Sequence, residues 1–196
     1  ASLSKYEKIG FPNAYREGKE AAIFVDIKSK LSLLSEEGKV ILDIGTGCSD
    51  LPQMLIEQCE ANTHQLLLVD SEEMLALLPS ATFIKKYPGM YPSAIYDFNQ
   101  LKGKVDVILL YCVLHYIFVE GNIYSFLDKS LSLLSPGGQM LIGDIPNSSK
   151  RKRFFSSETG MRFHQEFTKT KELPKMRFLK IEDGQIDDVV IMGLVN

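Results

Sequence analysis

Residues 40–53 read VILDIGTGCSDLPQ. A short apolar run closes on an acid, two glycines follow at alternate positions, and a helical pattern begins. In open α/β sheets, ligands bind outside the carboxyl ends of the strands, where such a turn lies. A dinucleotide turn reads G-x-G-x-x-G, with a pyrophosphate on the helix N-terminus. Here the third glycine would fall at position 50, which is Asp50, and a carboxylate repels phosphate. No Gly-Lys-Ser/Thr follows, so the P-loop reading fails as well. The turn suits a nucleoside that carries positive charge. Asp43 faces that cation directly or through water, while Gly45 and Gly47 allow close backbone approach.

The pattern around this turn alternates strand and helix. Val40–Ile44, Gln65–Val69, Thr82–Lys85, Val105–Tyr111 and Gln139–Gly143 are short, nearly continuous apolar runs, as strands covered on both faces are. Leu51–Glu60, with Ser49 and Asp50 as caps, Glu72–Leu78 before Pro79, and Asn122–Leu134 read as helices. Together they predict a doubly wound, mostly parallel α/β sheet. Upstream, Tyr15–Leu34 reads as a helix. Downstream, the polar and basic Ser148–Thr170 leads to Arg177–Glu182 and Val189–Val195, read as an antiparallel hairpin. At 196 residues the chain is expected to be a single domain: helical extension 1–38, cofactor core 39–144, acceptor-side insert 145–176 and hairpin 177–196.

Composition narrows the partners. A net charge of -3 gives no general pull toward nucleic acid, so none is expected. Cys48, Cys59 and Cys112 are too few and scattered for a disulfide framework or a metal site. No apolar run approaches a membrane span and none opens the chain as a signal sequence would, so a cytoplasmic protein without a membrane partner is expected.

A second acid, Asp70, ends the second strand 23 positions after Gly47, near the interval of a ribose-binding carboxylate. It also suits a cap for the helix that follows Ser71. Tyr96-Asp97-Phe98 offers an acid beside aromatic surface for a base. The cationic nucleoside that matches these groups is S-adenosylmethionine. In order, VILDIGTGCSD, LLLVDSEEML, YDFNQL, VDVILLYCVLHYI and LSPGGQMLIGDI resemble the motifs of the class I (Rossmann-like) S-adenosylmethionine-dependent methyltransferases. The resemblance spans roughly Lys39 to Asp144 and implies a seven-stranded sheet whose last strands are antiparallel. It implies that Asp43, Gly45 and Gly47 form the cofactor loop, and that Asp70, with Ser71 beside it, takes the ribose. Met74 would border the adenine, Asp97 and Phe98 would contact it, and Tyr111 and Cys112 would line the methionine side. Ser49 departs from the pattern, where many members have a third glycine.

Methyl transfer is an in-line displacement, and the protein mainly aligns acceptor and donor. Where the acceptor must lose a proton, His115, just past the fourth strand, is the expected base. It is weighed against a packing role beside Tyr116; His164 is weaker, and His64 reads as surface. Acceptor contacts are expected from Tyr15 and Arg16 upstream, from Tyr116, and from Asp144 and Asn147 at the end of the fifth strand. The fourth strand lacks the Asn/Asp-Pro-Pro-aromatic tetrad of nucleobase amino-methyltransferases, which leaves a small polar, anionic or sugar-like acceptor in the lead. A cofactor-binding module without turnover is the alternative, and a nicotinamide oxidoreductase a third reading that Asp50 disfavours.

Overall fold

Five runs of β-branched and leucine-rich sequence form five strands: β1 (Val40–Ile44), β2 (Gln65–Asp70), β3 (Ile84–Pro88), β4 (Val105–Tyr111) and β5 (Leu134–Gly143). All pair in parallel, in the order β3-β2-β1-β4-β5. The computed structural model describes residues 2–92, 96–173 and 186–195. The strands are apolar throughout because both faces are covered. Leu42, Ile44, Leu67, Val69, Ile108 and Leu110 enter one core, and Ile41, Leu66, Leu68, Val107 and Leu109 enter the other. Burying each such side chain contributes about 1.5–3 kcal/mol.

Ten helices flank the sheet among the described residues. Upstream lie α1 (Lys5–Lys8), α2 (Asn13–Arg16) and α3 (Glu20–Lys30). The next are α4 (Asp50–Ala61), α5 (Glu72–Ala76), α6 (Leu114–Glu120) and α7 (Ile123–Leu133). The last three are α8 (Ser148–Phe155), α9 (Glu158–Thr168) and α10 (Asp188–Val195). Helices α3, α4 and α5 cover one face; α6, α7 and α10 cover the other. Chain order turns outward in both directions from β1 and β4, so the crevice between their ends is the switch point. The glycine turn emerges there.

Several expectations change. The described sheet has five strands rather than seven, and no antiparallel hairpin closes it. Arg177–Glu182 lies outside the described residues, and Val189–Val195 is helical. Its β-branched run reads as strand locally, yet Val190, Ile191 and Leu194 at helical spacing reach the core. The Asp187 carboxylate accepts from the Val190 amide at 2.9 Å, which starts the helix. The single upstream helix is broken into α2 and α3 at Gly18, whose φ is +72°. Its predicted span also covers a short 3-10 turn at Ser32–Ser35. The fifth strand starts five residues early. Val105 pairs with Leu134 and Val107 with Gln139, so Pro136-Gly137-Gly138 bulges out of the ladder. His64 is buried, not surface: its Nδ1 accepts from the Lys39 amide at 3.0 Å. No helix among the described residues is long and apolar enough to cross a membrane.

Candidate cofactor site

Gly45 and Gly47 both take left-handed backbone, with φ of +73° and +69°. The Gly45 amide donates to the Val69 carbonyl at 2.8 Å, and the Gly47 amide to Asp70 Oδ2 at 2.7 Å. Asp70 Oδ1 accepts from the Ser71 amide at 2.6 Å, while the Ser71 hydroxyl caps α5 by accepting from Met74. Asp70 therefore ties the glycine turn to the end of β2. Its carboxylate keeps lone pairs free for a ligand.

Two cavities meet at this point. One, of about 460 Å³, lies between the turn and the upstream segment; the other, of about 550 Å³, lies among the ends of β2, β3 and α6. Gly45, Asp70, Val113 and Tyr116 line both. Each is of ordinary ligand size. Met74, Tyr111 and Cys112 line the first, and Ser71 the second.

The upstream segment roofs the first cavity. Asp50, the residue that replaces the third glycine, accepts from Tyr6 Oη at 2.7 Å and pairs with Lys5. Ile9 sits over Gly47, where an added Cβ would meet its Cγ2 at 2.9 Å. Arg16, 5% exposed, has its guanidinium 4.2 Å from the Phe11 ring and donates to Asp144 Oδ2 at 2.7 Å. Glu20, 2% exposed, accepts from the Leu51 amide at 2.8 Å. It satisfies an orphan donor at the start of α4. Neither Ser49 nor Asp50 makes that cap by side chain. A buried cation and a buried anion thus stand one helical turn apart in sequence and line the same cavity.

Cys112 and Asp144, just past β4 and β5, have φ of +59° and +52°. Left-handed backbone in non-glycine residues is held only where surroundings dictate it, and it gathers at functional sites. Burial and the nearby Asp144 charge push the Cys112 thiol up to about 11, with Arg16 opposing, so it stays protonated at neutral pH. Asp43 is 5% exposed, its backbone carbonyl accepts from the Thr46 hydroxyl at 3.2 Å, and it lines neither cavity. Burial raises its carboxyl to about 7, a hydrogen bond from Thr46 opposes, and the Asp70 charge adds to the rise.

Other predicted residues are not gathered here. Asp97 caps a 3-10 turn by accepting from the Asn99 amide, and Phe98 is buried among Tyr87, Tyr91 and Tyr96. Both line a separate groove with Lys85 and Lys86. Asn147 caps α8 and donates to Asp188. Tyr15 is exposed and packs on Phe167. His115 is half-buried with its ring 4.1 Å from that of Tyr116; it lines neither cavity. Burial pulls its pKa below the usual value, with Asp144 opposing, which keeps the ring neutral.

Sequence reasoning missed Glu20, Ile9 and the Gly89–Pro92 wall of the second cavity; Val113, which the resemblance puts with Tyr111 and Cys112 on the methionine side, lines both cavities. Glu20 carries a signal in retrospect. It is an acid on the buried stripe of α3 that also holds Phe24 and Ile27.

By sequence, the chain matches no protein-family model and no curated protein. By structure, it resembles a provisionally assigned S-adenosylmethionine-dependent methyltransferase from Listeria monocytogenes, with TM-score 0.55 and 18% identity, covering 82% of this chain and 68% of that one. It also resembles the N-methyltransferase NodS from Bradyrhizobium japonicum WM9, solved with S-adenosyl-L-homocysteine, with TM-score 0.54 and 16% identity, covering 84% of this chain and 86% of that one.

Proposed function

We propose, from the class I S-adenosylmethionine-dependent methyltransferase fold that this chain has, that it binds S-adenosylmethionine across the two joined cavities. It would transfer the methyl group to an oxygen or nitrogen of a small polar acceptor. The observation that carries this reading is Asp70, tied to the glycine turn and shared by both cavities. The two glycines let the turn take left-handed backbone hard against Val113 and Ile9, which line the cavity beside it.

Most of the donor has a matching group. Asp70 accepts from the ribose hydroxyls through its remaining lone pairs. Glu20, buried on the wall of the first cavity, offers negative charge for the ammonium of the amino-acid end. The apolar second cavity, with Met90, Tyr91 and Phe126, suits the adenine. When bound, the sulfonium supplies an activated methyl carbon. The chain's own work is alignment and exclusion of water by the upstream roof.

The acceptor side is read as the Arg16–Asp144 pair together with Tyr116. A guanidinium beside a carboxylate can orient a hydroxyl, an amine or an anionic group. His115, neutral through burial, reaches the cavities only through Tyr116, against which its ring is tilted; it is the base this reading assigns where the acceptor must lose a proton.

Calorimetry with S-adenosylhomocysteine and NAD tests the donor; binding of NAD alone would overturn the reading. Release of S-adenosylhomocysteine with a panel of sugar, carboxylate and amine acceptors tests turnover. Donor binding without turnover on any acceptor would favour a binding module instead. Asp70→Asn sets an amide NH₂ against the backbone N–H of either Gly47 or Ser71. It is expected to weaken S-adenosylhomocysteine binding by about 1.5–3 kcal/mol, and unchanged affinity would remove Asp70 from the site.

A further inference from the structure

Outside the cavities, the described surface carries an apolar feature that the methyl-transfer reading leaves unused. Tyr15, Phe167, Phe163 and Phe154 form a continuous ladder of rings over α2, α9 and α8. Successive centroids lie 5.6, 6.1 and 5.8 Å apart. All four are exposed, from 39% for Phe154 to 57% for Tyr15. Contiguous exposed apolar surface of this kind marks an interaction site.

The rings face outward because of how α9 is seated. Gly160 lies so close to the Phe154 carbonyl that an added Cβ would overlap it, which brings α9 hard against α8. The side of α9 turned inward is then Gly160, Met161, His164 and Gln165, all buried or half-buried. Phe163 and Phe167, one turn apart, are left on the solvent side. A helix that turns His164 and Gln165 inward and shows its phenylalanines to solvent is shaped for a partner.

Charge says which partner. Residues 148–173 hold seven Lys or Arg against three Glu, a net of +4, while the rest of a chain totalling -3 carries -7. All seven cations are exposed. Arg153 pairs with Asp188 and Arg151 lies over the Phe155 ring. A second copy docked through this face in a two-fold dimer would set the same positive patch against itself. A nucleic-acid strand needs a groove along which to track, whereas the ladder runs along the convex sides of helices. An anionic bilayer surface meets both requirements at once, taking the rings into its interface and the cations at its headgroups.

We infer that the face formed by Tyr15, Phe154, Phe163 and Phe167 with the basic residues of α8 docks the protein on an anionic lipid surface. Tyr15 adjoins Arg16, so docking sets the roofed cavity close to that surface, where a lipid-linked acceptor would arrive.

The test is co-flotation of the full chain with vesicles of phosphatidylcholine alone, or with roughly one third phosphatidylglycerol. Binding is expected only to the anionic vesicles, and added salt should weaken it. Phe163→Ser combined with Phe167→Ser, and separately Lys150→Glu combined with Lys152→Glu, should each reduce it tenfold or more. These side chains are exposed, and unchanged circular dichroism and thermal midpoint would show that the variants still fold. Equal binding to both vesicles, no binding to either, or wild-type binding by both variants overturns the inference. So does retention of an RNA oligonucleotide, or self-association abolished by the same substitutions, in the absence of vesicle binding. Calorimetry with S-adenosylhomocysteine is independent of this face, so a failed docking test leaves the donor reading intact.

Discussion

Gly45→Val is expected to abolish binding of S-adenosylhomocysteine, with an affinity loss of a hundredfold or more. Three effects combine. The φ of +73° is left-handed backbone, which costs a residue with a Cβ about 1–2 kcal/mol, and more when it is β-branched. An added Cβ would overlap the Val113 side chain, which walls both cavities. The turn has no easy escape, because the Gly45 amide is bonded to the Val69 carbonyl and the Gly47 amide to Asp70. Relieving the overlap breaks one of these bonds or moves Val113 and the start of α6. Either way the wall shared by both cavities shifts, and lost donor contacts of about 3 kcal/mol amount to a hundredfold in affinity. Gly38→Ala separates strain from contact. Gly38 is also left-handed, at φ +66°, yet nothing lies within 4 Å of its missing Cβ. That variant should lose about 1 kcal/mol of stability and keep its affinity. Wild-type affinity in folded Gly45→Val would show that the turn does not hold the cofactor.

The turn was legible in sequence because its signal is local. A strand closing on Asp43, two glycines needing left-handed backbone and a later acid at Asp70 are each set by neighbouring residues. The parallel core was legible for the same reason, since strands buried on both faces are apolar throughout. What escaped depends on distant contacts. Val189–Val195 reads as strand by composition, but the position of Val190, Ile191 and Leu194 against the core makes it a helix. Asp50 reads locally as a residue that repels phosphate, and nothing local reveals that Lys5 and Tyr6 fasten the roof to it. Glu20 caps a helix 31 positions downstream, a pairing that no periodicity encodes. Asp97 and Phe98 match a motif in order and spacing, yet they line a separate groove, and Phe98 reaches the second cavity only through Tyr91.

Asp43→Asn is expected to raise stability at alkaline pH and, in the same protein, to weaken donor binding. The Asp43 carboxyl is raised from 3.8 to about 7, first by burial, so the folded state binds its proton more tightly than the unfolded chain does. The stabilisation is therefore fully present below pH 3.8 and is lost as pH rises through about 7. A shift of that size corresponds to about 4 kcal/mol at its limit. Asparagine keeps the shape of the neutral acid and has no proton to lose. The variant's thermal midpoint should thus stay nearly flat between pH 5 and pH 8, where the wild-type value falls. Donor binding should change in the opposite sense. A sulfonium and an ammonium favour the ionised carboxylate, so the wild-type protein should bind S-adenosylmethionine more tightly as pH rises toward 8, releasing a proton on binding below about 7. Losing one charge interaction near the interior is worth on the order of 2 kcal/mol, about thirtyfold in affinity. Calorimetry in buffers of different ionisation enthalpy reads the proton release directly. A variant that gains stability at pH 8 but keeps both its affinity and its pH dependence would confine Asp43 to a buried structural acid. Loss of both affinity and proton release would make the acid at the end of β1 the group that selects a cationic nucleoside.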